Sequence, residues 1–290
     1  MLAAVLLAVP NVSEGRRPDV VDRIGAAFAP ARVLDTHSDS DHARSVFWLA
    51  ADQRELPEAL AAGAREAAES IDLGAGGGVH PHVGALDVAP VVYRDPAERG
   101  AAIAAALTAA TLIGELGIPV FLYGELGTAD DRRERADIRR GGPAALGERI
   151  ASGELVPDYG PAELHPTAGA TLVTARPPLI AFNVELDSDD LDLAKRIAYE
   201  IREGGGGFPG VRALGLALAS RGRAQVSMNV HNYEQAPLGE IVARIGALGP
   251  IAEAELVGLA PAAALASLPA DLSVRNRRTI EDALDPSQSS

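Results

Sequence analysis

From Leu179 onward, short apolar runs alternate with amphipathic ones in the order β-α-β-β-α-β, which restricts this half to a split βαβ layer of sheet and helix. Strands are expected at Leu179–Leu186, Val211–Leu218, Ala224–Val230 and Ala254–Leu259, with helices at Leu191–Glu203 and Leu238–Leu248. The first half shows a related alternation. An apolar opening run ends at Pro10-Asn11, a helix starts at Pro18, and strands at Arg32–Thr36 and Ser45–Ala51 flank a polar loop. A helix at Pro57–Ile71, a strand at Leu86–Tyr93, an Ala-rich helix at Asp95–Leu116 and strands at Pro119–Tyr123 and Ala170–Thr174 follow, with a short helix and surface loop over Thr128–Gly142. The spacing is too irregular for a solenoid. The expectation is an α/β (α+β) chain of two tandem βαββαβ-like subdomains, residues 1–177 and 178–290, meeting at Pro177-Pro178. Each is expected to be a mixed or antiparallel sheet with helices on one face, with a ligand groove between the two. Asp282–Ser290 is polar and expected to fray.

Aromatic residues make up only 4% of a chain that is 47% hydrophobic, so the core must come from Ala, Val, Leu and Ile with closely packed helices. A net charge of −14 argues against nucleic acid and against an anionic membrane surface, both of which are bound through Lys and Arg. A small anion remains open if arginines cluster locally. With no Cys, disulfides and thiolate chemistry are excluded. The opening apolar run lacks a basic start and a small-residue cleavage pattern, so it reads as a buried strand of a cytoplasmic protein.

Three polar clusters carry the candidate chemistry. Pro10–Arg17 (PNVSEGRR) reads either as a capped helix start, with Ser13 or Asp19 accepting backbone N–H bonds, or as a strand-end loop presenting Asn11, Glu14 and Arg16 to a ligand. Asp35–Ser45 holds two His and three Asp within residues 35–42; His37, Asp39, Asp41 and His42 would suit a divalent cation, as in a metal-dependent hydrolase, but their spacing fits no standard site. Arg44 beside them suits a carboxylate. The third cluster, Gly78–Asp87 (GVHPHVGALD), places His80 and His82 around Pro81. An imidazole near neutrality both takes and gives protons, but residues two apart on an extended chain point in opposite directions, so the two rings are not one pair. By itself a His-Pro-His loop is more often structural than catalytic.

These segments, taken in order, resemble the glutamate formiminotransferases. The resemblance runs through VPNVSEGRR (9–17), LD with its polar loop and RSVF (34–47), HPHVGALDVAP (80–90), VFLYGE (120–125), IRRG (138–141), PDYGP (157–161), GATLVTAR (169–176), LIAFNV (179–184), AQVSMN (224–229) and LVGLAP (256–261). It implies transfer of a formimino group from N-formimino-L-glutamate to tetrahydrofolate, the latter as co-substrate, in a cytoplasmic homodimer with no resident metal. It implies His80 as acid/base catalyst and Arg44 as a bidentate carboxylate ligand. Asn11, Glu14, His82, Asp158, Tyr159, Gly160, Gly169, Asn183 and Asn229 fall in matching motifs and are implied to face substrate or folate. This chain departs from the pattern: Val79 and His82 stand where the family commonly has Glu and Arg, and His37 replaces an Asp. No cyclodeaminase segment is expected. The departures leave open a folate-binding or regulatory paralogue, and sequence alone does not separate formimino from N-formyl-L-glutamate as donor.

Overall fold

The computed structural model describes residues 5–75, 81–129, 132–218 and 220–285, and the chain divides into two compact units, Met1–Pro177 and Pro178–Ser290. In the first unit, β1 (Val5–Ala8) and β2 (Asn11–Val12) are two pieces of one strand, lying between β4 (Arg44–Asp52) and β5 (Leu86–Val92) and antiparallel to both. Pro10 has no N–H to give a ladder and sits where the strand is interrupted. Across the gap Val9 N–H donates to the Pro90 carbonyl and Phe47 N–H to the Pro10 carbonyl, both at 3.0 Å. The hairpin strand β3 (Arg32–Asp39) pairs outside β4, while β7 (Thr171–Arg176) runs parallel to β5 and β6 (Val120–Leu122) parallel to β7. The result is a seven-stranded mixed sheet.

Helices α1 (Pro18–Ala27), α2 (Glu55–Ser70) and α3 (Arg99–Glu115) cover one face of this sheet. Pro18 opens α1, whose Val20, Val21 and Ile24 are buried. The buried stripe of α3 is built from Ala102, Ala105, Ala106, Ala109 and Ala110, the small side chains that a core poor in aromatics requires for close helix approach. Helices α4 (Arg135–Arg139) and α5 (Gly142–Ala151) lie on the other face, where Ile138, Leu146 and Ile150 pack with Val88, Phe121, Tyr123 and Leu172. Helices on one face only is thus the arrangement of part of this sheet, and the segment read as short helix and loop over Thr128–Gly142 leads into a second helix. The polar loop expected over residues 37–44 is also shorter than its composition suggested. His37, Ser38 and Asp39 pair in register with Val46, Ser45 and Arg44, leaving Ser40–Ala43 as the turn. An edge strand has a solvent face, and polar residues there do not break it.

The second unit follows the β-α-β-β-α-β order. Strands β8 (Ile180–Leu186), β9 (Val211–Leu218), β10 (Arg223–Val230) and β11 (Ile251–Leu256) form a sheet in the order β11-β8-β10-β9, and a short strand, β12 (Val274–Arg275), adds in parallel outside β11. Phe182, Val184 and Leu186 alternate toward α6 (Leu191–Ile201) and α7 (Leu238–Leu248), whose Ile197, Ile201, Ile241 and Ile245 complete the core. Asp190 caps α6, accepting from the Leu193 N–H at 2.8 Å. Two further short helices, α8 (Ala262–Leu265) and α9 (Ile280–Leu284), close the unit, so part of the tail expected to fray is helical. Among the described residues no helix is long and apolar enough to cross a membrane.

Gly63 tests how tightly α2 sits on α1. An added Cβ there would lie 2.1 Å from Cε1 of Phe28, a ring that is fully buried. Gly→Ala in a free helix stabilises by about 1 kcal/mol, whereas overpacking a core costs about 1–3 kcal/mol. Gly63→Ala is therefore expected to destabilise, read as a lower urea midpoint at unchanged m-value; a higher midpoint would show that the packing is loose.

Candidate functional site

The polar groups of the first unit gather on the face of the seven-stranded sheet opposite α1–α3. Strand alternation puts them there: Phe47, Leu49 and Ala51 of β4 and Val12 of β2 enter the first core, so Arg44 and Asn11 project to the other side. Asn11 is buried and hydrogen-bonded through both ends of its amide. Its Nδ2 donates to the Val9 carbonyl at 2.8 Å, and its Oδ1 accepts from Arg44 Nε at 2.8 Å and from Arg44 Nη2. Burial is the largest influence on Arg44 and pulls it from 12.5 to about 9, against support from Asp87 and with opposition from Arg139 and Arg135.

Asp87 reaches this face through a β-bulge. Asn11 pairs with Val88 but Val12 with Leu86, and Leu86 and Ala89 both enter the first core, so Asp87 and Val88 share the opposite side. The Asp87 side chain is 2% exposed. Its Oδ1 accepts from the Val83 N–H at 2.9 Å, and its Oδ2 pairs with Arg139 Nη2 from α4. Arg139 is also lowered, first by burial, and its Nε is buried with no hydrogen-bond partner among the described residues. Beside this pair, the Arg135 guanidinium stands 6.0 Å from the centre of the Tyr123 ring. Tyr123 also hydrogen-bonds the side chain of Arg176, which burial brings down to about 10 with Arg135 repelling it further.

The other expected site residues of this unit are held by the fold. Glu14 Oε1 accepts from the backbone N–H groups of Gly15, Arg16 and Arg17 at 2.9, 2.7 and 3.0 Å, and its Oε2 pairs with Arg17 Nε at 2.5 Å. Burial alone would raise this carboxyl, and the hydrogen bonds from Arg16 and Arg17 outweigh it to lower it. Asp158 accepts from the Leu122 N–H at 2.8 Å and pairs with Arg132 at 2.5 Å, while Tyr159 exchanges backbone bonds with Val120. Gly160 (φ +79°) lies against the Ile118 carbonyl, and Gly169 (φ +69°) against that of Val83, where a Cβ would come to 2.1 Å. His80 lies outside the described residues; the chain resumes at exposed Pro81 and half-buried His82. In the metal-candidate cluster, His42 turns to Asp39, its N–H donating to Oδ1 at 2.9 Å and Nδ1 lying 3.4 Å from Oδ2. Among the described residues no group of three or more His, Asp or Glu converges to hold a metal.

In the second unit, Asn183 and Asn229 project from β8 and β10 on the face opposite α6 and α7. Asn183 Nδ2 donates to Glu255 Oε2 at 3.4 Å. Further along the same face, the wholly buried Glu185 carboxylate is met by Arg221 at 2.8 Å and Arg275 at 2.5 Å. Sequence reasoning missed Asp87, Tyr123, Arg135, Arg139 and Arg176. Four of the five lie inside segments already singled out, GALD (Asp87), VFLYGE (Tyr123), IRRG (Arg139) and GATLVTAR (Arg176), so the signal was a polar or basic side chain recurring in those motifs at strand and helix ends.

Two family models match the chain end to end: "Formiminotransferase domain, N-terminal subdomain" over residues 5–176 and "Formiminotransferase domain" over residues 181–281. The chain is 39% identical to a glutamate formimidoyltransferase of Streptococcus pyogenes serotype M1, over 91% of each chain. It is 39% identical to one of Thermoplasma acidophilum, over 89% of this chain and 88% of that one. A formimidoyltransferase-cyclodeaminase of Gallus gallus is 36% identical over 91% of this chain, which spans 51% of that protein.

Two substitutions test the supports of this face. Asp87→Asn leaves Arg139 as a buried, unpaired cation, and breaking a buried pair costs about 3–5 kcal/mol; a denaturation midpoint that hardly moves would contradict the pairing. Glu14→Gln is expected to cost about 1–2 kcal/mol at neutral pH through lost N-terminal acceptance. The Glu14 carboxyl is lowered on folding, so its contribution is present above its ordinary value of 4.5 and lost as pH falls through the folded value. The stability gap between wild type and Glu14→Gln should therefore close on acidification, and a gap constant to pH 3 would contradict this.

Proposed function

We infer the reaction from a premise that the matches make plain: this chain belongs to the formiminotransferase family. The protein transfers a formimino group from N-formimino-L-glutamate to tetrahydrofolate. The observation that carries this reading is the 39% identity with glutamate formimidoyltransferases over about nine-tenths of both partners, with both subdomain models matched in order. Tetrahydrofolate is the proposed co-substrate, and a cytoplasmic homodimer the proposed working form; these two points rest on family resemblance.

The chemistry asks little of the protein beyond position and protons. A folate nitrogen attacks the electron-poor amidine carbon of the donor, the carbon becomes tetrahedral, and the bond to the glutamate nitrogen breaks. The attacking nitrogen must lose a proton and the departing nitrogen must gain one. We assign that relay to His80, since one imidazole titrating near neutrality serves both steps. Arg44, held by Asn11 on the polar face of the first sheet, is the proposed ligand of a donor carboxylate. The Asp158–Gly160 segment and Gly169 keep their proposed place beside the folate, as do His82, Asn183 and Asn229. For Glu14, Asp158 and the two glycines, the contacts described above favour a supporting role, shaping the walls rather than touching the ligand.

The test is kinetic and binding together. His80→Ala should lower kcat for N-formimino-L-glutamate by about 10²–10⁴-fold, the usual worth of a positioned acid/base group. The tetrahydrofolate Kd should stay close to wild type, and His82→Ala should lower kcat far less. Wild-type protein that binds tetrahydrofolate but transfers nothing from this donor overturns the reading. Faster transfer from N-formyl-L-glutamate would reassign the donor.

A further inference from the structure

We propose that Arg44, Arg135, Arg139 and Arg176, gathered around Tyr123 and Asp87 on one face of the seven-stranded sheet, form a recognition site for the two carboxylates of an N-substituted glutamate, occupied in the reaction by the glutamate half of the donor. The inference deepens the formimino-transfer reading and rests on it for the identity of the occupant.

The first argument is charge. The chain as a whole carries −14, yet four guanidiniums meet here in one place. Among the described residues, Asp87 is the carboxylate set against Arg44 and Arg139, and its two oxygens are already taken by the Val83 N–H and by Arg139 itself. Arg176 meets the Tyr123 hydroxyl and the Pro177 carbonyl, with no carboxylate against it among the described residues. Confining like charges around a buried guanidinium, Arg139, with Arg44, Arg135 and Arg176 half-buried beside it, is unfavourable by itself, and it is relieved when an anion enters. The depressed values of Arg44, Arg139 and Arg176 express the same cost, and burial leads the causes in all three.

A second, independent observation is the unfilled donor on Arg139. This side chain is only 8% exposed, and its Nε has no hydrogen-bond partner among the described residues. A buried N–H left unpaired in the protein is costly and calls for an explanation, of which a ligand oxygen is the simplest. The geometry also suits a dicarboxylate rather than a single acid. Guanidinium forks pair with carboxylates through two parallel hydrogen bonds. The Arg44 fork is already set on Asn11 Oδ1 and Arg139 Nη2 on Asp87, so a ligand would meet Arg135, Arg176 and the Nε of Arg139, which are still more donors than one carboxylate can use. Tyr123 anchors two of them from one ring, with Arg135 against its face and Arg176 on its hydroxyl. Asp87 fastens the cluster to the Val83 main chain, three residues after His80, so the cluster and the proposed acid/base group share one chain segment.

Two sources supply such a glutamate, the donor and the terminal residue of the folate tail, and they separate experimentally. Arg135→Gln and Arg176→Gln are the variants of choice, because neither strands the Asp87 carboxylate; their melting temperatures confirm folding. The expected result is a rise of about 10- to 100-fold in KM for N-formimino-L-glutamate, the size of a lost charged hydrogen bond, with a much smaller change in kcat and no change in KM for tetrahydrofolate. Arg176→Lys should recover part of the loss, since it keeps the charge but not the fork. If instead the tetrahydrofolate KM rises, and the rise vanishes with tetrahydropteroate, which has no glutamate, the site holds the folate tail and the donor assignment is overturned. If neither KM moves, the cluster is structural and the proposal falls. Calorimetry with L-glutamate and with glutarate needs no turnover. Dicarboxylate binding that the variants weaken sustains the site even if formimino transfer is not observed, and its absence from folded wild-type protein refutes the site whether or not transfer occurs.

Discussion

The buried pair of Asp87 with Arg139 is the contact on which the polar face of the first unit depends. It joins elements 52 residues apart, β5 and α4, and its second carboxylate oxygen holds the main chain at Val83. Three things therefore move together: the bulged strand, the helix that brings Arg135 and Arg139, and the segment leading out of the His80 motif. Charges so deeply buried are tolerated only when each is answered, and the pair answers only part of what Arg139 carries. The remainder, with Arg44, Arg135 and Arg176, gives a strongly acidic protein a local positive field where its proposed substrates are anions.

That field explains how net charge and ligand charge can share a sign. Negative charge spread over the surface is screened within about 10 Å at 0.1 M salt, whereas guanidiniums that are buried, like Arg139, or half-buried, like Arg44, Arg135 and Arg176, act at close range through hydrogen bonds. The overall −14 argues against partners recognised by broad basic surfaces but says nothing about a site a few residues wide. It is also why the supporting residues matter. Asn11 fixes Arg44, Tyr123 fixes Arg135 and Arg176, and Gly169 lets the chain pass within contact of Val83.

What could be read from sequence follows from how local each feature is. The second unit was legible because Phe182, Val184 and Leu186 alternate cleanly and α6 carries its own cap at Asp190. The β3–β4 hairpin was misjudged at its tip, since His37–Asp39 are polar for reasons of exposure while their backbone is still paired with residues 44–46. Helix α5 was missed, its start marked only by Gly142-Pro143 within a charged, Gly-rich run. At the site, Asn11 and Arg44 were legible as polar residues in motifs at strand ends. Asp87 and Arg139 were not, because their meeting depends on a bulge that reverses the alternation of β5 and on a helix whose placement no periodicity reveals. Glu14 and Asp158 were legible as polar residues in motifs, but not the bonds they make inside the fold, Glu14 to the N–H groups of Gly15, Arg16 and Arg17 and Asp158 to the N–H of Leu122.

The central claim is that a one-carbon unit leaves a glutamate nitrogen and arrives on folate in this protein's hands. The most direct measurement follows N-formimino-L-glutamate labelled with ¹³C at the formimino carbon, by NMR, with stoichiometric tetrahydrofolate and purified protein. The account predicts that the labelled resonance shifts to a folate-bound environment while unlabelled glutamate is released in equal amount. A label that stays on glutamate, or that is lost to water as formamide or formate without reaching folate, would contradict it.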